Sequence, residues 1–251
     1  MATFVLVHGG GHGGWCYAKV KRRLEAAGHE VFAPSLTGLA ERASALSVDV
    51  DLDRHIDDIV QLMHYWDLHD VVLVGHSYGG MVITGAADRS CGRVTKLVYL
   101  DAANPRDGQS LLDVAGPVIE MTRPSGTIVD GVELVLLPGE GAASFYGITD
   151  PEDLAWTDAR LTAHPWRCFE QPLVLQDPAA LWAIPQYHIV CSSTLLSRDP
   201  ALVERARSAG RLWHIDTGHD LMITEPDFVA ASLVQVAAEV VSAGPAGSPA
   251  G

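Results

Sequence analysis

Six short apolar runs punctuate the chain: TFVLVHG from residue 3, HEVFAPSL from 29, DVVLVGHS from 70, TKLVYLDA from 95, YHIVCSS from 187 and RLWHIDTG from 211. Each is rich in Val, Ile or Leu without a polar residue at every second place, the pattern of strands covered on both faces of a parallel sheet. Between them lie stretches with helical spacing, such as WCYAKVKRRLEAAG (15–28) and DRHIDDIVQLMHYW (53–66). Strand and helix alternate, which predicts an α/β fold with a mostly parallel central sheet and helices on both faces. The rhythm breaks between 105 and 181, where Pro and Gly are frequent and Phe145, Tyr146, Trp156, Trp166, Phe169 and Trp182 cluster without a clear core strand. This stretch reads as a cap inserted over the C-terminal edge of the sheet, where ligands of open α/β folds bind. The expected division is therefore a core of residues 1–104 and 182–242, a cap of 105–181, and a disordered tail of 243–251, whose Gly, Pro, Ala and Ser can bury little.

Composition narrows the partners. The chain has 251 residues and a formal net charge of −14, so nucleic acid and anionic membrane surfaces are not expected partners. No apolar run reaches the ~18 residues of a membrane span, and the N-terminus enters the first strand without a signal-peptide pattern. Cys16, Cys91, Cys168 and Cys191 show neither C-x-x-C nor zinc-site spacing. They read as reduced thiols of a cytoplasmic protein, with no metal expected. A homodimer is compatible with all of this.

The chemistry gathers at the ends of the apolar runs. Gly75-His76-Ser77-Tyr78-Gly79 lies between a strand and a helical pattern, which is G-x-S-x-G in the context of a sharp turn that exposes the serine hydroxyl. An idle serine in a Gly-rich turn is the bland alternative. The Tyr78 N–H, at the start of that helix, could receive developing negative charge. VLVHGGGHGGW (5–15) also fits a dinucleotide fingerprint, but the next strand ends in Pro34-Ser35-Leu36 instead of the acidic residue such a site uses. The other reading is an H-G-G-G loop whose Gly10 N–H pairs with that of Tyr78 as an oxyanion hole. It is preferred because it accounts for Ser77 as well, and it needs no cofactor. His12 is expected to line the substrate pocket or to be a plain loop histidine, and Trp156 of the aromatic cap is expected to line the pocket. His219, in IDTGHDLMITEP, follows the last strand at the place of a general base, after Ser77 as chain order in such folds requires. His8, His76 and His214 read as packing residues near the same edge.

On these residues the chain resembles the α/β-hydrolase superfamily, and within it the small esterases of the plant methyl esterase and hydroxynitrile lyase group. The resemblance is dense in FVLVHGGGHGGWCYAKVKRRLEAAGHEV and VVLVGHSYGGM and recurs in DPEDLAWTDARL and GHDLMITEP. It implies that Ser77 is the nucleophile, His219 the base, and the Gly10 and Tyr78 N–H groups the oxyanion hole, with no cofactor. The lyases carry a lysine after the catalytic histidine and a threonine in the first glycine loop. Asp220 and Gly9-Gly10-Gly11 stand there, so the resemblance implies ester hydrolysis instead of cyanohydrin cleavage. The expected function is a serine carboxylic-ester hydrolase acting on a small apolar or aromatic ester. The alternatives are a lyase or cyclase in biosynthesis and a non-catalytic small-molecule receptor.

The acid of the triad is the open point. The family places it after the strand that here reads YHIVCSS, close to Thr194, which cannot hold an imidazolium by charge. Asp199 lies downstream, before Pro200, and has a sufficient job as a helix N-cap. Asp101 ends the strand TKLVYLDA at the functional edge, an arrangement similar to that of haloalkane dehalogenases. Asp101 is the expected acid and Asp199 the alternative. With a histidine base near its ordinary pKa of about 6.5, kcat/KM is expected to rise through the slightly acidic range and level off near or above neutrality.

Overall fold

The structure is a computed structural model that describes residues 1–90 and 92–239; Cys91 and the proposed tail of 243–251 lie outside the described residues. Nine strands run in chain order: β1 Thr3–Val7, β2 Glu30–Phe32, β3 Val71–His76, β4 Val94–Leu100, β5 Thr127–Val129, β6 Val132–Val135, β7 His164–Pro165, β8 Gln186–Cys191 and β9 Leu212–Ile215. The six apolar runs supply β1, β2, β3, β4, β8 and β9, which form one sheet in the order β2-β1-β3-β4-β8-β9 with every pairing parallel.

Why these runs lack alternation is visible in β1. Val5 and Val7 point into one core with Ile56, Ile59 and Met63 of helix Leu52–Tyr65 and with the buried face of helix Gly79–Arg89. Phe4 and Leu6 point into the other, with Val20 and Leu24 of helix Ala18–Ala26 and Val229, Leu233 and Val236 of helix Pro226–Ala238. Both faces are covered, so each of its four buried positions, Phe4 to Val7, is apolar. Lys96 interrupts β4 for a reason: its buried Nζ donates to the carbonyl oxygens of Val236 and Glu239, both at 2.6 Å, closing the C-terminal end of the last helix.

Between β4 and β8 the chain leaves the sheet. Helix Leu111–Glu120, opened by a Ser110/Asp113 capping box, is followed by the antiparallel strands β5, β6 and β7 and by helix Pro151–Asp158. The sequence shows no clear core strand in this stretch and gives no sign of the small sheet. Its strands are three, four and two residues long, and β5 is exposed throughout, too short and too open to write a periodic signal.

The sheet's C-terminal edge is packed with almost no slack. A Cβ on Gly80 would lie 1.9 Å from the Ala103 carbonyl oxygen, so the helix after β3 presses against the loop after β4. Gly80→Ala must push backbone against backbone. It is expected to destabilise the fold by about 1–3 kcal/mol, or roughly 2–4 °C in Tm for each kcal/mol, measurable by thermal unfolding. An unchanged Tm would show that the two loops do not share this contact.

Candidate active site

Ser77 sits just past β3 with φ of 52°, a left-handed backbone that a serine adopts only when its surroundings impose it. The flanking glycines make the turn possible. A Cβ on Gly75 would meet Gly79 O at 2.5 Å, and one on Gly79 would meet Val7 O at 2.7 Å. The turn holds the hydroxyl over the sheet edge, 2.8 Å from Nε2 of His219 in the loop after β9.

The other ring nitrogen of His219, Nδ1, lies 2.5 Å from Oδ2 of Asp101. Asp101 follows the last residue of β4, is buried, and also has a positive φ, of 45°. Its neighbours explain how a carboxylate can stand there. β4 pairs with β8, and the Asp101 N–H donates to Ile189 O at 2.7 Å, so the two strand ends are adjacent. Thr194, close to the place the family reserves for its acid, donates its hydroxyl to Asp101 Oδ1. Arg198 donates to the same oxygen at 2.7 Å and to Ala102 O at 2.9 Å. Cys191 Sγ lies 3.1 Å from Oδ2. The carboxylate thus stands one strand over, and the residues around the vacated position support it. Asp199 does not reach the histidine; it caps helix Pro200–Ser208 by accepting from Ala201 N and lies 3.6 Å from Arg106.

These contacts set the charges. Burial by itself would raise the Asp101 pKa, but the hydrogen bond and charge of His219, the charge of Arg198 and the Thr194 hydroxyl hold it well below the usual carboxylate range. Burial would lower His219. The bonds to Asp101 and Cys191 and the charges of Asp101 and Asp220 outweigh it and raise the imidazole above its ordinary 6.5. The sign follows for activity. A base must be deprotonated, so raising its pKa moves the acidic limb of kcat/KM to higher pH. The rise in kcat/KM is therefore expected to have its midpoint above 6.5 and to level off above neutrality, measured with a pH-insensitive ester. A midpoint below 6.5 would mean that desolvation wins over Asp101.

A cavity of about 590 Å³ opens onto Ser77 and His219. Leu111, Val118, Ile119, Leu136, Phe145 and Phe169 form an apolar wall, and Asn104, Arg106, Gln109 and Arg198 a polar one. Gly10 and Tyr78 line it beside the serine, and among the described residues neither backbone N–H has an acceptor. His12 and Trp156 are not among the lining residues, which corrects the pocket reading of both. His12 is wholly buried and turns inward to Gly10 O and to Oδ2 of Asp220. Trp156 packs edge-on to Trp15, ring centroids 5.2 Å apart, under the Arg160 guanidinium. The cap aromatics that do line the cavity are Phe145, Tyr146 and Phe169.

Of the other histidines read as packing residues, two pack. His8 donates from Nδ1 to Gly9 O and accepts at Nε2 from Leu36 N. His76 donates from Nε2 to His219 O. His214 does not pack: it is exposed on the edge strand β9, which corrects that reading. A trio that spacing could not reveal, His55, His164 and Cys168, brings ligand-type atoms within 4.8 Å of one another. His55 spends Nδ1 on the Tyr78 hydroxyl and Nε2 on Thr37 O, both at 2.9 Å, and His164 accepts from Gly11 N. The trio packs behind the Tyr78 ring and the glycine loop.

The sequence profile of the alpha/beta hydrolase family matches residues 4–232. The carbendazim hydrolyzing esterase of Nocardioides sp. (strain SG-4G) is 34% identical over 246 residues, covering 93% of this chain and 98% of the relative. Methylesterase 2 of Arabidopsis thaliana is 29% identical over 216 residues, 78% of this chain and 80% of the relative. Among solved structures, an extracellular alpha/beta-hydrolase from a Paenibacillus species superimposes with a TM-score of 0.72 at 21% identity, covering 95% of this chain and all of that one.

Proposed function

The chain belongs to the alpha/beta hydrolase family, and we propose that it is a serine carboxylic-ester hydrolase working through an acyl-enzyme. The observation that carries this reading is the continuous relay of hydrogen bonds from Ser77 Oγ through the two nitrogens of His219 to Asp101. Two unpartnered N–H groups, of Gly10 and Tyr78, stand beside it at the cavity. Asp101 accepts from Nδ1–H, so Nε2 bears the lone pair. Ser77 Oγ attacks the ester carbonyl as its proton passes to Nε2, and the carbonyl oxygen takes its negative charge between Gly10 N–H and Tyr78 N–H. His219 then protonates the leaving alkoxide. Water then gives a proton to the same nitrogen as its oxygen bonds the acyl carbon; the acyl–Oγ bond breaks, Nε2 returns the proton to Ser77 Oγ, and the acid leaves.

The apolar wall supports a small apolar or aromatic acyl part. The relatives' own names, an esterase hydrolysing carbendazim and a plant methylesterase, support ester hydrolysis. Residues 105–181 are proposed to act as the cap that supplies this wall. The free buried thiols of Cys16, Cys168 and Cys191 support a reducing, cytoplasmic setting, and no helix of the described residues is long and apolar enough to cross a membrane.

The test is covalent. A fluorophosphonate should modify the protein once, with the adduct on Ser77 by peptide mass spectrometry, and the same treatment should abolish turnover of p-nitrophenyl butyrate. An adduct on another residue, with turnover intact, would remove Ser77 from the mechanism.

A further inference from the structure

Asp220 is a buried carboxylate that the relay does not use. It directly follows His219, its side chain is fully enclosed, and its Oδ2 lies 2.9 Å from Nε2 of His12, which is equally enclosed. His12 Nδ1 lies 2.8 Å from Gly10 O. Both ring nitrogens of His12 therefore face oxygens, and the ring bridges the Asp220 carboxylate and the Gly10 carbonyl. A buried carboxylate needs such a partner, because an unpaired charge in the interior is strongly unfavourable.

What the pair joins matters more than the pair. His12 belongs to the loop after β1, and its backbone N–H reaches Gly9 O at 3.4 Å. Gly9 O lies in the same peptide plane as the Gly10 N–H, and the His12 ring takes the carbonyl of the next plane. One residue thus grips both peptides around the oxyanion donor. Tyr146 adds its hydroxyl to Gly10 O at 3.2 Å, while its own carbonyl accepts from Asp220 N, also at 3.2 Å. On the other side His76 donates to His219 O at 3.0 Å, with Asp220 Oδ1 3.6 Å from the same nitrogen. Burial holds His76 neutral, with its pKa down at about 3.

We propose that His12 and Asp220 form a positioning pair that ties the oxyanion loop to the loop carrying the catalytic base. Turnover then depends on two side chains that never touch the cavity. The inference rests on the ester-hydrolase reading. Its chemistry is geometric: the carbonyl being attacked must meet the Gly10 N–H, Ser77 Oγ and His219 Nε2 at once, and a loosened loop loses the oxyanion donor without losing the nucleophile.

Three variants test it: His12→Gln, Asp220→Asn and the double substitution. Kinetics are read per active site, titrated with a fluorophosphonate to completion. Each single variant should lose ten- to a hundredfold in kcat with KM within about threefold, since ground-state binding uses the untouched apolar wall. The double variant should lose no more than about threefold beyond the worse single one, because either change already breaks the tie. A second readout is the pH profile. His219 faces Ser77, Asp101, Cys191, His76 and Asp220, with Arg198 across Asp101; Asp220 faces His12, His76 and His219, with Cys16, Tyr17 and Tyr146 close by. Removing the Asp220 anion should move the acidic limb of kcat/KM to lower pH, whereas His12→Gln, which keeps that anion, should lose kcat with the limb in place. If His12→Gln does not fold, the isosteric Asp220→Asn decides by its kcat and its limb.

Unchanged kcat per titrated site, even with a lower Tm, overturns the proposal, as do losses that multiply in the double variant. A wild-type protein that neither labels at Ser77 nor turns over esters overturns the hydrolase reading and this one with it. An active, labelled wild type with unaffected variants overturns this one alone.

Discussion

Ser77→Ala is expected to lower kcat for p-nitrophenyl butyrate by about 10⁴ to 10⁶, the range seen when the nucleophile of a serine triad is removed. The substitution should leave the fold in place. Serine and alanine meet the same penalty at φ of 52°, since a Cβ is the source of the strain in both. The hydroxyl's bond to His219 Nε2 is the main thing lost. What survives is the cavity and the two N–H donors, which can still hold an ester and polarise it towards water; such remnants leave about 10³ to 10⁴ over the uncatalysed reaction. The variant should therefore bind substrate with little change in KM while turning it over at a small residual rate. Retention of more than about a tenth of wild-type kcat would mean that another group attacks the carbonyl.

How much of this could be read in the chain differs residue by residue. Ser77 could be singled out because its turn demands glycines at fixed offsets, and the close approaches at Gly75 and Gly79 are the physical content of that demand. His219 stood out by order along the chain. The centre of the sheet was legible because burial on both faces writes itself into a strand, and β1, β3, β4 and β8 carry that mark; the edge strands β2 and β9 are only partly buried and are marked by apolar composition alone. Asp101 could be argued only from its place at a strand end, and Asp199 stayed open beside it. What separates them in space is the β4–β8 pairing, a contact between residues some ninety positions apart in the chain. The same limit hid Arg198 and Thr194, whose role depends on where Asp101 is. His12 was drawn to the pocket by its loop, yet its side chain turns inward to Asp220, 208 residues away. A histidine that will turn inward to a buried carboxylate and one that will line a pocket look alike in sequence, because the partner that decides is not local. The small sheet between β4 and β8 left no periodic signal for the opposite reason: its strands are local but only two to four residues long.

Asp101→Asn should lower kcat at least a hundredfold, and the arrangement around the carboxylate says why the loss should be large. Thr194 and Arg198 both donate to Oδ1, so an asparagine will turn its carbonyl oxygen to them. Its amide NH₂ then occupies the place of Oδ2 and points hydrogen at His219 Nδ1. That nitrogen must give up its own proton to accept, which places the ring's hydrogen on Nε2, facing Ser77. The base is then in the wrong tautomer and cannot take the serine proton. In a serine protease the equivalent change costs about 10⁴ in kcat. The anion that raises His219 is also gone, so whatever activity remains should show its acidic limb at lower pH than the wild type. Fold and labelling site should persist, because the amide keeps the shape of the carboxylate and Arg198 keeps its bond to Ala102 O. The control is Asp199→Asn. Asparagine caps a helix as well as aspartate does, and Asp199 lies outside the relay, so kcat should stay within about twofold of wild type. The opposite outcome, a collapse of kcat in Asp199→Asn with Asp101→Asn unaffected, would return the triad acid to the loop after β8 and leave the Asp101–His219 contact as a structural bond.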